Sequence, residues 1–359
     1  MKKWIEKLKL TKTLSTLTPI LIAFLIGAVA IILAKESPFN TYYILISKSL
    51  FNIKGLLKTL HYAAPLILSG LAIAVSFKAG LFNMGIEGQI ISSGFVVAML
   101  GYRLASLPAG VLIPLLLLVG IIVGVIMAIL PAFLKAKYNV NEMVVTLLLN
   151  YAIYSVLEYL TSNVAFFRDP SSGYVSTYVI GSNAIISRIG GSKLTIFFFI
   201  VMIVFVVMYF VMKRSKLGFE INAMGKNRSF SEATGMEIQK KTMYIMLLSG
   251  ALAGLAGAGW MMAEKFSYTL DFSGTPGLGW DGMLIALLGG HTPIGILVAA
   301  IFYAALKTGA SSVAIYTSVP AEIIILLQAL IVLFLSIKFF SNKKTKKVKK
   351  EVKANGVSA

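Results

Sequence analysis

The segment GLFNMGIEGQ, residues 80–89, places a carboxylate and two amides between two strongly apolar runs. Asn83 and Gln89 can donate and accept hydrogen bonds, and Glu87 adds a negative charge. A charged side chain at membrane depth costs about 3 kcal/mol even on insertion scales, so the cluster needs partners. Two interpretations stay open here. Either Asn83 caps the next helix and Glu87 stabilises its first turn, or polar groups are held at membrane depth against protein or a water-filled path.

Asp281 and Gly282 form a second acidic-glycine pair, inside a short apolar segment. Each pair follows an apolar run that contains Leu-Ser-Gly, at residues 68–70 and 248–250. In the topology deduced below, these two runs cross the membrane in opposite directions, so the two halves of the chain would be inverted repeats. Inverted repeats with interrupted helices at matching positions are a typical sequence indication of a transport path.

The composition is that of a polytopic membrane protein. The 359 residues are 58% hydrophobic and 13% charged, with a mean hydropathy of +0.86, which leaves too little polar surface to cover a soluble globule. The absence of cysteine excludes disulfides and thiolate chemistry, and two histidines leave little material for a metal site. Nine apolar segments approach the roughly 20 residues that a crossing needs: 14–34, 60–79, 84–104, 110–134, 143–161, 194–212, 243–263, 294–313 and 321–339.

An odd number of crossings would put the two basic termini on opposite sides, against the positive-inside rule. Residues 276–290, PGLGWDGMLIALLGG, supply the missing tenth crossing as a short or broken helix of about 22 Å. The expected fold is therefore all-α, with about ten crossings in two inverted repeats and both termini in the cytoplasm. The domains are a basic N-terminus (1–13), a transmembrane domain (14–340) that starts with a retained helix, and a Lys-rich tail (341–359).

The polar connection between the sixth and seventh predicted crossings, within residues 213–242, is too polar to enter a membrane and too long for a tight turn. Its middle favours a short helix capped by Asn227 or Ser229, with Glu232 in the first turns. This pattern is typical of a docking element, although an ordinary solvated loop would have the same composition. The Lys-rich tail is most simply a solvated anchor near lipid headgroups, and nucleic acid is not needed to explain the positive charge.

Five ordered motifs resemble the permease subunits of ABC importers of the branched-chain amino acid and simple-sugar class, and most closely the nucleoside-importing branch. The resemblance covers about residues 56–335, and the motifs are FNMGIEGQ, Asn141-Glu142 with Asn150-Tyr151, a GxN…G pattern, LLSGALAGLAGA and WDGMLIALLGGHTPIG. The resemblance implies an ATPase subunit, a second related permease in a heterodimer and a substrate-binding lipoprotein as partners. It also implies that the loop couples to the ATPase through Gly218, Gly225, Asn227 and Gly235. Arg228, Ser229 and Phe230 depart from the family pattern of Asn-Pro followed by alanines.

No GxxxxGK[ST] motif occurs in the sequence, so an ABC importer of this kind would take its energy from ATP bound by the partner, with no cofactor or metal in this chain. An ion-coupled secondary transporter is the main alternative class, and it would be expected to carry acidic residues in mid-span. Glu158, Glu264 and Glu322 fall near predicted span ends instead. An enzyme would need a nucleophile with a base, and His61 and His291 lie on opposite faces of the membrane in this topology.

The resemblance indicates a nucleoside as the transported solute, with a simple sugar such as ribose as the alternative. A nucleoside path would offer amides for hydrogen bonds and aromatic rings for stacking. Residues predicted to line it are Asn83, Glu87, Gln89, Asn150, Tyr151, Trp280 and Asp281. Two of them have other interpretations: Trp280 can be an interfacial belt residue, and Asn150 can simply tie two helices together.

Overall fold

A computed structural model of the chain describes residues 22, 24–274, 277–319, 323, 326, 329 and 330. The predicted basic N-terminus, the Lys-rich tail and most of the predicted crossing at 321–339 lie outside the described residues. Helices dominate the described part, in agreement with the all-α prediction. In order they are α1 (Phe24–Leu33), α2 (Pro38–Ile46), α3 (Ile53–Lys78), α4 (Ile86–Arg103), α5 (Ala109–Tyr138), α6 (Glu142–Asn163), α7 (Phe197–Arg214), α8 (Lys216–Lys226), α9 (Arg228–Ala233), α10 (Ile238–Trp260), α11 (Leu278–Leu288) and α12 (Pro293–Tyr316).

Six of the described helices are long and apolar enough to cross a membrane: α3, α5, α6, α7, α12, and α10 with the π-helical turn that extends it to Lys265. The segment predicted to be short or broken does form a helix of only 11 residues, α11. Two features differ from the sequence prediction. α3 begins at Ile53 rather than at residue 60, and α2 precedes it because Ser37 caps a helix whose first residue is Pro38. The total of ten crossings stays a prediction.

The chain divides into two compact units. The smaller unit comprises residues 1–59 and 302–359, and its described core contains Ile31, Leu45, Leu306, Val313 and Val319. The larger unit, residues 60–301, contains every residue predicted for the substrate path and the coupling loop.

Glycines bring α10 and α5 into direct backbone contact within the larger unit. A Cβ atom at Gly254 would lie 2.1 Å from the carbonyl oxygen of Gly120, and one at Gly124 would lie 2.1 Å from that of Gly250. Small residues at such spacing let helices approach closely and gain dispersion energy, which substitutes for the hydrophobic effect inside a membrane. α10 and α5 therefore form a closely packed pair, against which α4 also packs.

The chain does not pass directly from α3 into α4. Gly80 adopts a φ of +77°, a conformation that favours glycine, and turns the chain back after α3. The residues up to Gly85 are non-helical, and α4 starts at Ile86. The start of α4 thus lies beside the interior of α3, as the contacts below show.

Candidate functional site

The non-helical segment before α4 is held by three polar side chains at four-residue intervals on one face of α6. These side chains are Glu142, Thr146 and Asn150, which are 5%, 0% and 8% exposed. They accept hydrogen bonds from backbone N–H groups of residues 82–88, and the Asn150 amide also donates to a backbone carbonyl. The four bonds are Phe82 N to Glu142 Oε1 (3.0 Å), Met84 N to Thr146 Oγ1 (3.1 Å), Gly88 N to Asn150 Oδ1 (2.9 Å) and Asn150 Nδ2 to Met84 O (2.7 Å).

This polar stripe explains how a stretch without helical hydrogen bonds can exist among apolar helices. An unpaired backbone N–H in such surroundings costs about 1 to 3 kcal/mol, so each group needs a partner. The three bonded N–H groups are spread along the non-helical residues and the first turn of α4. Side chains at i, i+4 and i+8 form one row along a helix, so they can reach groups spaced in this way. α6 therefore provides a row of acceptors beside the segment, and Asn141 fixes its start by capping Met143 N at 3.0 Å.

Asn83 joins the same segment to α3 and α10. Its side-chain amide donates to Ser249 Oγ at 2.9 Å and to Gln89 Oε1 at 3.4 Å, and the Ser249 hydroxyl donates to Ala72 O at 2.7 Å. Ala72 is about 9 Å of helix before the end of α3 at Lys78. Asn83 is therefore level with the interior of α3, and it is completely buried.

The structure corrects one sequence interpretation of Asn83. Asn83 Oδ1 accepts the N–H of Gly85 at 3.0 Å, which shapes the turn before α4, whereas α4 itself has no side-chain cap. Glu87 does lie in the first turn of α4, as expected.

Glu87 connects the first turns of two helices from different halves of the chain. Its Oε2 accepts the N–H of Gly279, in the first turn of α11, at 2.7 Å. A Cβ atom at Gly277 or Gly279 would come within 2.2 Å or 2.6 Å of atoms of Glu87, so only glycine leaves room for this contact. A carboxylate at a helix N-terminus accepts hydrogen bonds from free N–H groups and interacts favourably with the positive end of the helix dipole. Glu87 thus does both for α11 while belonging to α4.

The two Leu-Ser-Gly motifs contact the polar segments reciprocally. Ser249 of the second motif binds Asn83, whereas Ser69 of the first lies so close to Gly282 that a Cβ there would be 2.5 Å from Ser69 Oγ. Asp281 is completely buried in the first turn of α11, and Trp280 is partly buried beside it. The starts of α4 and α11 therefore meet in one place, the arrangement expected for interrupted helices in two inverted repeats.

The predicted coupling loop is two short helices that pack back on the larger unit. Asn227 caps α9 by accepting the N–H of Phe230 at 3.0 Å, which confirms one of the two capping residues predicted. Glu220 of α8 pairs with Lys241 of α10 at 2.7 Å. A Cβ at Gly225 would lie 1.9 Å from Lys78 O, so α8 rests on the end of α3.

Two further glycines in this loop act differently. Gly218 lies against the last turn of α7, where a Cβ would be 2.3 Å from Val211 O. Gly235 follows α9 with a φ of +86°, and a Cβ there would meet nothing within 4 Å. Its requirement for glycine is therefore conformational rather than steric.

His61 belongs to a buried polar cluster. His61 Nε2 lies 3.3 Å from Glu264 Oε2, and His61 Nδ1 lies 3.4 Å from the Thr195 hydroxyl. An acid, a histidine and a hydroxyl in this order could serve nucleophilic catalysis, but His61 and Thr195 are both only 1% exposed, as in a buried structural cluster. The cluster ties α3, α10 and a loop together. His291 lies elsewhere, after α11, with its ring 5.8 Å from that of Phe77.

Three residues of the site were not among those predicted to line the path: Glu142 and Thr146, which hold the segment, and Ser249, which binds Asn83. The four-residue spacing of Glu142, Thr146 and Asn150 in an otherwise apolar span is the signal that could have identified the first two. Two other residues predicted to line the path differ in exposure: Gln89 is buried, at 2% exposed, whereas Tyr151 on α6 is 68% exposed. Among the described residues, no group of three or more His, Cys, Asp and Glu is arranged to hold a metal ion.

The chain matches the family described as the permease component of the branched-chain amino acid transport system over residues 55–336. It belongs to this family and is a permease of an ABC transporter, integral to the membrane. It is 32% identical to the guanosine ABC transporter permease protein NupP of Bacillus subtilis, over 94% of this chain and 98% of that protein.

Two further relatives carry names with different solutes. The nucleoside ABC transporter permease protein NupB of Lactococcus lactis is 31% identical, over 92% of each chain. The glucose ABC transporter permease protein TsgB13 of Haloferax volcanii is 30% identical, over 88% of this chain and 85% of that one. Among solved structures, an inward-facing metal-chelate type ABC transporter aligns over 88% of this chain and 95% of that one, with a TM-score of 0.46 and 17% identity.

Proposed function

We propose that this permease forms the membrane path of an ATP-driven importer of nucleosides. The observation that carries the proposal is the similarity, over nearly the full length of both chains, to a permease named for guanosine. A nucleoside is uncharged and combines a flat base with ribose hydroxyls. A simple sugar is the second candidate, because the permease named for glucose is nearly as similar.

The contacts divide the predicted path residues by role. Asn83, Gln89 and Asn150 use their amides to hold the non-helical segment, so in this proposal they shape the path rather than bind the solute. Trp280 is partly exposed at the start of α11 and is the candidate for stacking on the base. Glu87 keeps α4 and α11 together at the same place.

The proposed partners are an ATPase, a second permease of the same family and a substrate-binding lipoprotein. α8 and α9 are the proposed contact with the ATPase, since a rigid element outside the membrane is needed to transmit the movement of that subunit. The contact of Gly225 with the end of α3 supplies a direct route from α8 to the segment that precedes α4.

The proposed topology has about ten crossings with both termini in the cytoplasm. Reporters fused after Ser341 and within residues 171–187 should report the cytoplasm and the exterior, respectively. If a reporter after Ser341 is found outside, the result contradicts the proposal that α11 is a tenth crossing.

Transport measured in proteoliposomes tests the function. The complete transporter, with its ATPase, second permease and receptor, should take up labelled guanosine only when ATP is supplied, and a protonophore should leave the uptake unchanged. Uptake that stops when the proton gradient collapses at constant ATP would establish an ion-coupled transporter instead. Uptake of glucose or ribose without uptake of any nucleoside would replace the proposed substrate with a sugar.

A pair of glycine variants tests the coupling loop. Gly225→Ala forces a Cβ against Lys78 O, so it should lower both ATPase co-purification and uptake. Gly235→Ala has open space and strains only the backbone, at about 1 kcal/mol, so its effect should be smaller. Equal effects of the two variants, or none, would contradict the assigned contact of α8 with α3.

A further inference from the structure

The half of α6 nearer Asn163 exposes a polar and aromatic face. In the half nearer Glu142, the exposed large side chains are apolar: Met143, Val144 and Leu148. From the middle of the helix onward this changes. The exposed polar or aromatic residues there are Tyr151 (68% exposed), Tyr154 (42%), Ser155, Glu158, Tyr159 (61%) and, at the end of the helix, Asn163. Val156 (55%) is the one large aliphatic side chain exposed with them.

These residues form a row of their own. Tyr151, Ser155 and Glu158 follow the spacing i, i+4 and i+7, and Tyr154 lies one turn before Glu158, so the four share one side of the helix. The buried row of Glu142, Thr146 and Asn150 occupies a different side. α6 thus carries two polar rows, one used inside this chain and one exposed.

Lipid is a poor neighbour for the exposed row. Polar side chains in the middle of a membrane span mostly face protein or water, because hydrocarbon offers their hydrogen-bonding groups no partner. An aromatic belt explains tyrosines close to a span end, such as Tyr159, but Tyr151 is in the middle of a span of 22 residues. α7 shows what a lipid-facing helix of this chain looks like, since its most exposed large side chains are all apolar: Phe199, Ile203, Val206, Val207 and Phe210.

The exposed row is close to the meeting point of α4 and α11. Asn150, the residue before Tyr151, accepts the N–H of Gly88 at 2.9 Å, and Gly88 follows Glu87 in α4. Burial raises the pKa of Tyr268, in the loop before α11, and the nearby Tyr154, Glu87 and Glu158 raise it further. Its ring also lies 5.3 Å from that of Phe95 in α4 and 5.6 Å from that of Phe272. The exposed row, the loop that carries Tyr268 and Phe272, and Glu87 are therefore parts of one region of the larger unit.

We propose that Tyr151, Tyr154, Ser155 and Glu158 line the water-filled solute path of the assembled transporter and contact the solute directly. This inference rests on the proposed function for the identity of the solute. Tyrosine rings offer faces for stacking on a base, while the hydroxyls and the carboxylate offer hydrogen-bond partners to ribose hydroxyls. A solute with a flat aromatic base and several hydroxyls matches this combination better than a small aliphatic solute does.

Single cysteines test the proposal cleanly because the chain has none of its own. Ser155→Cys and the control Ile203→Cys are each introduced into the complete transporter in proteoliposomes and treated on both sides with a membrane-impermeant thiol reagent. Only a thiolate reacts, and a thiolate needs water, so Ser155→Cys should be modified at least about tenfold faster than Ile203→Cys. Saturating guanosine should slow the modification of Ser155→Cys.

Two results would overturn the proposal. Modification of Ser155→Cys as slow as that of Ile203→Cys means that the row is covered by lipid or by the second permease. Fast modification that guanosine does not slow means that the row is wet but does not contact the nucleoside. If the unsubstituted transporter imports a sugar and no nucleoside, the substrate proposal fails, whereas the rate of modification still decides whether α6 lines a path.

A hydroxyl deletion gives a second, independent readout. Tyr154→Phe keeps the ring and removes one hydrogen-bond partner, so the KM for guanosine uptake should rise about three- to tenfold, the range for a neutral hydrogen bond. Tyr244→Phe, at a tyrosine 59% exposed on α10, is the control and should leave the KM unchanged. An unchanged KM in Tyr154→Phe contradicts a solute contact at this position.

Discussion

α10 and α6 belong to the same unit and are held in it in opposite ways. In the most apolar 18-residue stretch of α10 and the turn that extends it, 83% is buried. The glycines of α10 also bring its backbone against that of α5. In the corresponding 18-residue stretch of α6 only 17% is buried. The buried side chains of α6 include the three that bind the backbone of residues 82–88. One helix is fixed by close packing over its length, and the other is attached through a few directional bonds.

This difference bears on which helix can move. Close packing is lost all at once, since any displacement separates many atom pairs. Hydrogen bonds to a single segment can be exchanged one at a time for bonds to water or to a partner. We therefore expect α10 and α5 to move as a rigid body, and α6 and residues 82–88 to be the adjustable part of the larger unit.

The largest effect should come from α10. Gly254→Val would place side-chain atoms where the Gly120 carbonyl lies, and overpacking against backbone costs about 3 kcal/mol or more. The yield of monodisperse protein in detergent should fall severely. Gly110→Ala is the matched control, because a Cβ there meets nothing within 4 Å, and it should express normally. A normal yield of Gly254→Val would show that the two helices are not in backbone contact.

An intermediate effect is expected on α6. Asn150→Leu removes the partners of Gly88 N and Met84 O and should cost about 2 kcal/mol. Hydrogen exchange should speed up in residues 82–88 and leave the amides of α10 unchanged. Asn163→Leu, at an exposed asparagine at the end of the same helix, is the control. Equal loss of protection in α10 would remove the distinction between a fixed and an adjustable part.

The smallest effect should come from Glu142→Gln. Glutamine keeps an oxygen that accepts from Phe82 N and loses the charge that pairs with Lys135 at 2.9 Å. The expected decrease in stability is about 1 kcal/mol, seen as a Tm lowered by a few degrees. Glu237→Gln, at a carboxylate 64% exposed, should not change the Tm. A collapse of the fold in Glu142→Gln would mean that charge, not hydrogen bonding, holds α6.

Local features were the ones that the sequence could predict. The short helix α11, the cap at Asn227 and the place of Glu87 in the first turn of α4 each depend on neighbouring residues, and the structure has all three. The contacts that build the site join distant residues: Glu142 is 60 positions from Phe82, and Glu87 is 192 from Gly279. A single sequence does not show which backbone groups a polar row will bind. The sequence therefore shows only the four-residue spacing of Glu142, Thr146 and Asn150, and not their bonds to residues 82–88.

α6 holds residues 82–88 entirely through their peptide groups, and peptide groups are the same whatever the side chain. These four bonds therefore place no requirement on the side chains of Phe82 and Met84, and the Phe82 ring packs instead 5.0 Å from that of Phe77. At these two positions a substitution leaves the bonds from α6 in place, whereas Asn83, whose side chain shapes the turn and binds Ser249, has no such freedom. Tolerance to substitution at Phe82 and Met84, against intolerance at Asn83, is the pattern that this mode of support predicts.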